Sequence, residues 1–175
     1  MSEIEVAGLV SFEQEQEADE APEELRRLIV FRACDEWFSL PIEWVREIQP
    51  LTRVTRIPNA PTGLMGILNL RGRVLALYDL AGCIGVQAGV QPNTHAVVLD
   101  FADPDLGVAI AAQQIAQVRD VLVSAIQTDQ REVGPGGLEG VFELDNQVVG
   151  LLDLNRVFAR ALPEWGGKVE PRGSR

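Results

Sequence analysis

The feature that most constrains this chain is an internal repeat. The stretch "MGILNLRGRVLALYDLAGCIG" (residues 65–85) returns as "EGVFELDNQVVGLLDLNRVFA" (residues 139–159). With Gly66 set on Gly140, nineteen positions align without a gap. Leu70/Leu144, Val74/Val148, Leu77/Leu151, Asp79/Asp153 and Leu80/Leu154 are identical, and Ile67/Val141, Leu68/Phe142 and Leu75/Val149 stay apolar. Upstream, "VREI" at Val45–Ile48 is answered by "VRDV" at Val118–Val121, an offset one residue different. Two independent matches at nearly one spacing mean two copies of a small unit of roughly 70 residues. A unit that size builds only a marginal core, so two copies are expected to pack against each other.

Local patterns say what kind of unit this is. "LRRLIVFRACDEWFSLPI" reads as a hairpin of β-branched and aromatic runs about a turn, and "THAVVLDF", "LGVAIAA" and "QVRDVLVS" read as further strands. Pro50, Pro58 and Pro61 exclude a long helix between the first hairpin and the repeat. "GVQAGVQPN" reads as a linker and "VGPGG" as a flexible loop. Short strands with turn signals every eight to twelve residues or so predict barrels or a sandwich. The expected class is therefore all-β, with a first unit over about residues 26–88 and a second over about 92–162, strands being open to exchange between them.

Charge separates the folded part from its ends. Of 26 acidic residues, nine lie in residues 1–25, which hold no Lys or Arg; beyond them 17 acids face 15 bases. The near-neutral remainder has no field to steer a polyanion, which argues against nucleic acid as a partner. The acidic stretch reads most simply as a disordered solubilising tail, the alternative being a tail that binds something. The ending "GGKVEPRGSR", within residues 163–175, is Gly-rich and charged and is expected to be a flexible tail outside the fold. No apolar run approaches the roughly 18 residues of a membrane span. The start "MSEIEVAGLV" lacks the basic and apolar regions of a secretory signal, so the expected location is the cytoplasm, without membrane insertion.

No catalytic, metal or cofactor site is predicted. His95 is the only histidine, Lys168 is the only lysine, and Cys34 and Cys83, 49 residues apart in apolar segments, fit no metal or redox spacing. There is no phosphate-binding loop, no nucleophile elbow and no dinucleotide fingerprint. Asp79 and Asp153 each follow a strand and precede a helix-like segment, where an aspartate caps the free amides. A chain with these absences is expected to work by binding.

The repeat also isolates residues that the fold does not need. Leu70, Val74, Leu77 and Leu80 recur, which suggests core positions in each copy. At the turn, Arg71-Gly72-Arg73 faces Asp145-Asn146-Gln147, and both serve as hairpin turns, so the arginines are not demanded by the turn. On the "VREI" strand, ideal alternation puts Val45 and Glu47 on one outward face and Ile48 on the core face.

"TRIPNAPTGLMGILNLRGRVLALYDL" resembles the central block of CheW-type chemotaxis coupling domains. Ile57, Pro58, Pro61, Gly66, Asn69, Leu70, Arg71, Gly72, Asp79 and Leu80 fit that block, and "FSLPIEWVREI" is similar to the family's preceding strand and V-x-E-I segment. Ala76 departs from it, standing where the family commonly has proline. The resemblance runs from about Leu28 to Leu162. It implies two five-stranded barrels of the Src-homology type packed side by side, and a non-enzymatic scaffold without cofactors. It further implies two partners: the regulatory domain of a CheA-type histidine kinase and the cytoplasmic signalling tip of methyl-accepting chemoreceptors. Val45, Glu47, Asn69, Arg71, Gly72 and Arg73 are then the expected partner-binding residues, Arg71 resembling the family arginine of receptor and kinase coupling. The rival use of Arg71 is structural, pinning the two units through Glu47. The alternative pathway is that of a type IV pilus or another chemosensory output.

Overall fold

The computed structural model describes residues 23–103, 105, 107–128, 136–161 and 168–173. The acidic segment before Glu23 and most of the "VGPGG" loop lie outside the described residues. The chain forms β1 (Leu25–Ala33), β2 (Glu36–Pro41), β3 (Val45–Pro50), β4 (Leu64–Leu70), β5 (Arg73–Tyr78), α1 (Leu80–Ile84), β6 (His95–Leu99), β7 (Val108–Ala112), β8 (Gln114–Leu122), β9 (Gln127–Thr128), β10 (Leu138–Leu144), β11 (Gln147–Leu152) and α2 (Leu154–Ala161). The all-β expectation holds, and the strands form two sheets rather than one.

One sheet has the order β8-β1-β2-β11-β10-β9, the other β3-β6-β7-β5-β4. Each follows the other under the repeat, because β4, β5 and α1 correspond to β10, β11 and α2. The parallel pair β2–β11 corresponds to the parallel pair β7–β5. Each sheet thus takes strands from both halves of the sequence: the first hairpin, β1–β2, lies between strands of the second half. Even the short edge piece repeats. Thr55 bridges Ile67 on β4 as Gln127 and Thr128 pair with Val141 and Gly140 on β10. Gly66 allows this closeness, since a Cβ there would stand 2.4 Å from the Thr55 carbonyl oxygen.

Burial explains why some strands read as unbroken apolar runs. Leu28 and Val30 of β1 point into the interior of the six-stranded unit with Val121, Phe142, Val149 and Leu151. The alternate residues Ile29, Phe31 and Ala33 face the other way, into a seam shared with Val97, Leu99, Val108 and Ile110 of the second unit. The five-stranded unit has its own interior of Leu68, Leu75, Leu77, Ala96, Val98, Ala109 and Ala111. A strand buried on both faces cannot alternate apolar with polar. Helices α1 and α2 close the seam, supplying Leu80, Ile84, Leu154, Val157 and Phe158. Both are N-capped as expected: Asp79 Oδ1 accepts from the N–H of Ala81 at 3.4 Å, and Asp153 Oδ1 from that of Asn155 at 2.9 Å.

Two expectations about residue placement are corrected. Val74 and Val148 recur without being core residues, at 63% and 67% exposure. They stand second in their strands, on the face opposite Leu75 and Val149, so their recurrence reflects the hairpin and not the core. The C-terminal stretch expected to be a flexible tail is in part docked. Ala102 donates its N–H to the Glu170 carbonyl (2.8 Å), Arg172 donates to Asp100 (3.0 Å) and Val169 donates to Asn155 Oδ1 (2.7 Å). Val169 also packs on the seam cluster. Apolar contact and satisfied amides offset the entropy that its composition favoured.

Candidate functional site

The β4–β5 hairpin is closed by two residues, with Leu70 paired to Arg73 and Asn69 to Val74. Arg71 has φ 52° and Gly72 φ 83°. Two consecutive positive φ values mark a type I′ turn, whose preferred dipeptide is Asn-Gly. Gly72 meets that demand at no steric cost; a Cβ there would touch nothing within 4 Å. Asn69 supports the turn, its Oδ1 accepting the Gly72 N–H at 2.9 Å. Arg71 is the residue the backbone does not favour, since a non-glycine side chain in left-handed geometry costs on the order of 1 kcal/mol. The equivalent turn holds Asp145 (φ 51°) and Asn146 (φ 63°), both types that tolerate this conformation.

The hairpin tip meets the opposite edge strand. Arg71 Nη1 lies 3.7 Å from Glu47 Oε2, and the same carboxylate oxygen accepts from Gln49 Nε2 at 2.9 Å. The contact joins β3 to the tip of β4–β5 within the five-stranded unit. It does not bridge the two units, as the structural reading of Arg71 expected. With the Arg71 side chain 75% exposed, the pair remains solvated and contributes at most about 1 kcal/mol.

The expected shared face of Val45 and Glu47 is absent. A bulge at Arg46 shifts the β3–β6 register, so Val45 pairs with Leu99 but Glu47 with Val98. Opposed residues share a face, which puts Val45 on the seam side, where it and Ile48 both pack on the seam cluster. Glu47 falls on the other side with Gln49. The extra residue reverses the alternation on which the outward Val45 depended. Asn69, Arg71, Gly72 and Arg73 are exposed, Glu47 is half-buried, and the geometry groups Glu47 with the hairpin tip while setting Val45 apart.

A second surface was not anticipated. On the six-stranded unit an open groove of about 540 Å³ is walled by Trp37, Val86, Val90, Leu138, Val141 and Val148. Of the recurring pair Val74 and Val148, whose repetition suggests core positions, only Val148 lines it. Asp35 at its rim accepts the Val90 N–H (2.7 Å) and a bond from Gln113 Nε2 (3.0 Å), and the former chiefly holds its carboxyl below the usual range. Burial pushes the thiols of Cys34 and Cys83 up to about 12, which removes them as nucleophiles near neutral pH. Among the described residues no group of three or more His, Cys, Asp or Glu side chains could hold a metal. No helix among them is long and apolar enough to cross a membrane.

Two small β-units are thus locked over a shared seam, and the five-stranded one carries a charged hairpin tip beside its edge strand. Residues 27–162 match the CheW-like domain family, and the chain belongs to it. It is accordingly a scaffold coupling protein and not an enzyme. It is 28% identical over 141 residues to the probable chemotaxis protein CheW of Rhizobium etli, a match covering 79% of this chain and 91% of that one. With the chemotaxis protein CheW of Helicobacter pylori it shares 32% over 130 residues, covering 71% and 73%. With the protein PilI of Pseudomonas aeruginosa it shares 29% over 83 residues, 47% of each chain. The fold is that of the crystal structure of the scaffolding protein TtCheW from Thermoanaerobacter tengcongensis, with a TM-score of 0.67 at 20% identity, covering 80% of this chain and 91% of that one.

Proposed function

We propose that the chain bridges a CheA-type histidine kinase and the helical signalling tip of a methyl-accepting chemoreceptor at the cytoplasmic side of the membrane. Its partner surface is the β4–β5 tip with edge strand β3: Arg71 and Arg73 supply charge, Asn69 and Gly72 hold the turn, and Glu47 aims Arg71. Val45 acts from beneath, as a support for β3 on the seam. The observation that carries this reading is Arg71 itself, a long cation kept at a left-handed turn position that Asn would occupy at lower cost. An exposed guanidinium with a fixed base suits recognition of carboxylates on a helical partner. The family match and the relatives named CheW support the pathway.

The test is reconstitution. Autophosphorylation of a CheA-type kinase is measured with receptor, with this chain, and with both. Kinase activity should change with receptor only when the chain is present. An unchanged rate in the three-component mixture would overturn the reading. The likeness to PilI favours one second reading, coupling in a pilus-associated pathway, and exchanging the receptor and kinase for those of such a system in the same assay separates the two.

A further inference from the structure

The groove on the six-stranded unit takes its walls from β2, from β10 and β11, and from the segment that follows α1. Trp37 and Leu138 are half-buried in it, while Val148 is 67% and Val90 89% exposed. Gly150 deepens the floor. It stands where the first copy of the repeat has Ala76, and a Cβ there would press on Leu138 Cδ2 at 3.0 Å and Phe38 Cδ1 at 3.2 Å. Contiguous apolar side chains left open to water in a concavity of this size mark an interaction site.

The wall supplied by the segment after α1 is pinned in place, although its composition is that of a linker. Asp35 Oδ2 accepts the Val90 N–H at 2.7 Å. The Gln113 side chain donates to Asp35 Oδ1 (3.0 Å) and to the Gln91 carbonyl (2.9 Å), and accepts the Asp35 N–H (2.9 Å). Gly89 lies so close that a Cβ would stand 2.5 Å from Gln113 Nε2. The groove is therefore formed before anything enters it, which spares an occupant the cost of ordering it.

Charge selects the occupant. The lining residues include two carboxylates, Asp35 and Glu36, and no Lys, Arg or His. The bases bonded to the walls are engaged: Arg32 donates to the Asp35 carbonyl (3.3 Å), and Arg156 donates to the Leu138 carbonyl (3.0 Å) with Asp153 beside it at 3.3 Å. Glu36 is exposed and forms no ion pair among the described residues. Its neighbour Trp37 adds an aromatic ring, which attracts a cation. We propose that the groove binds a segment of a partner protein whose apolar side chains are flanked by Lys or Arg, the apolar part against Val90 and Val148 and the cation beside Glu36 and Trp37. Acidic flanks would meet two carboxylates and be rejected. The groove lies on the six-stranded unit and the Arg71 tip on the five-stranded one, so this site does not depend on the function proposed above.

The test is selection of a phage-displayed library of random peptides, each of about 12 residues, on the full chain. Each survivor is then measured on the unaltered chain, on the double variant Val90→Gln with Val148→Gln, and on Glu36→Gln. All three positions are exposed, so thermal unfolding should be unchanged in both variants. Survivors should carry Lys or Arg beside apolar residues and shift the amides of Trp37 and Val86–Val90. They should bind the double variant about tenfold more weakly. On Glu36→Gln they should lose about threefold, a difference that vanishes in about 500 mM salt. A selection that yields no binder, survivors of acidic composition, affinities indifferent to Glu36→Gln, or shifts confined to the Arg71 tip would overturn the proposal.

Discussion

Arg71 and Glu47 meet at 3.7 Å across the mouth of the five-stranded unit, one on a hairpin tip and the other on an edge strand displaced in phase by a bulge. The distance is too long for a hydrogen bond, and the guanidinium is largely in solvent, so the contact orients more than it stabilises. Glu47→Gln should therefore lower stability by less than about 1 kcal/mol in denaturant unfolding. A loss of several kcal/mol would make the pair an internal brace and move the partner surface elsewhere.

Gly66 is a sharper structural test. A methyl group there would collide with the Thr55 carbonyl, and its φ of 150° is one that side chains rarely adopt. Gly66→Ala should cost about 2–4 kcal/mol and remove exchange protection from the amides of Thr55 and Ile67, which now exchange hydrogen bonds at 2.8 and 2.9 Å.

The thiols give a chemical prediction. Cys34 and Cys83 are buried and free, and desolvation, with Asp79 the next cause, moves both up to about 12. At pH 8 a thiol reagent should label neither in the native protein within minutes and both in denaturant. Because the folded values lie above the ordinary thiol range, stability is intact below about pH 9 and declines as pH rises from there toward 12.

Asp35 predicts the opposite acid-side behaviour. The N–H of Val90 and the amide of Gln113 hold its carboxyl below the usual range. The stability it contributes is present above the ordinary carboxylate range, near pH 4, and is lost as pH falls through its depressed value. Amide exchange at Val90 should accelerate first in that window, and Asp35→Asn should weaken the acid dependence.

What was legible in the sequence was local or repeated. Gly66/Gly140 and Asp79/Asp153 disclose two hairpins, each with a capped helix, because turn and cap chemistry involve neighbours in the chain. The parallel pairing of β2 with β11 left no such trace. Residues 37–39 and 149–151 are more than a hundred positions apart, and nothing periodic links them. The bulge at Arg46 was hidden for a related reason: "VREI" satisfies ideal alternation, and only the pairing with β6 shows one residue too many. Composition hides the docking of Val169, since its Gly-rich and charged neighbours conceal one apolar anchor, two backbone hydrogen bonds and a third to the Asn155 side chain. At the site, Arg71 stood out as the residue without a counterpart, but its left-handed backbone became visible only in the fold.

That backbone allows the central claim to be tested by one substitution. Arg71→Asn places the favoured Asn-Gly pair in the turn and removes the guanidinium. If Arg71 is kept for a partner at the expense of the turn, the variant should be more stable by about 0.5–1 kcal/mol. The same protein should lose receptor-dependent change in kinase activity by tenfold or more, an effect of about 1.4 kcal/mol or greater on binding. Equal or lower stability together with undiminished kinase coupling would contradict the account.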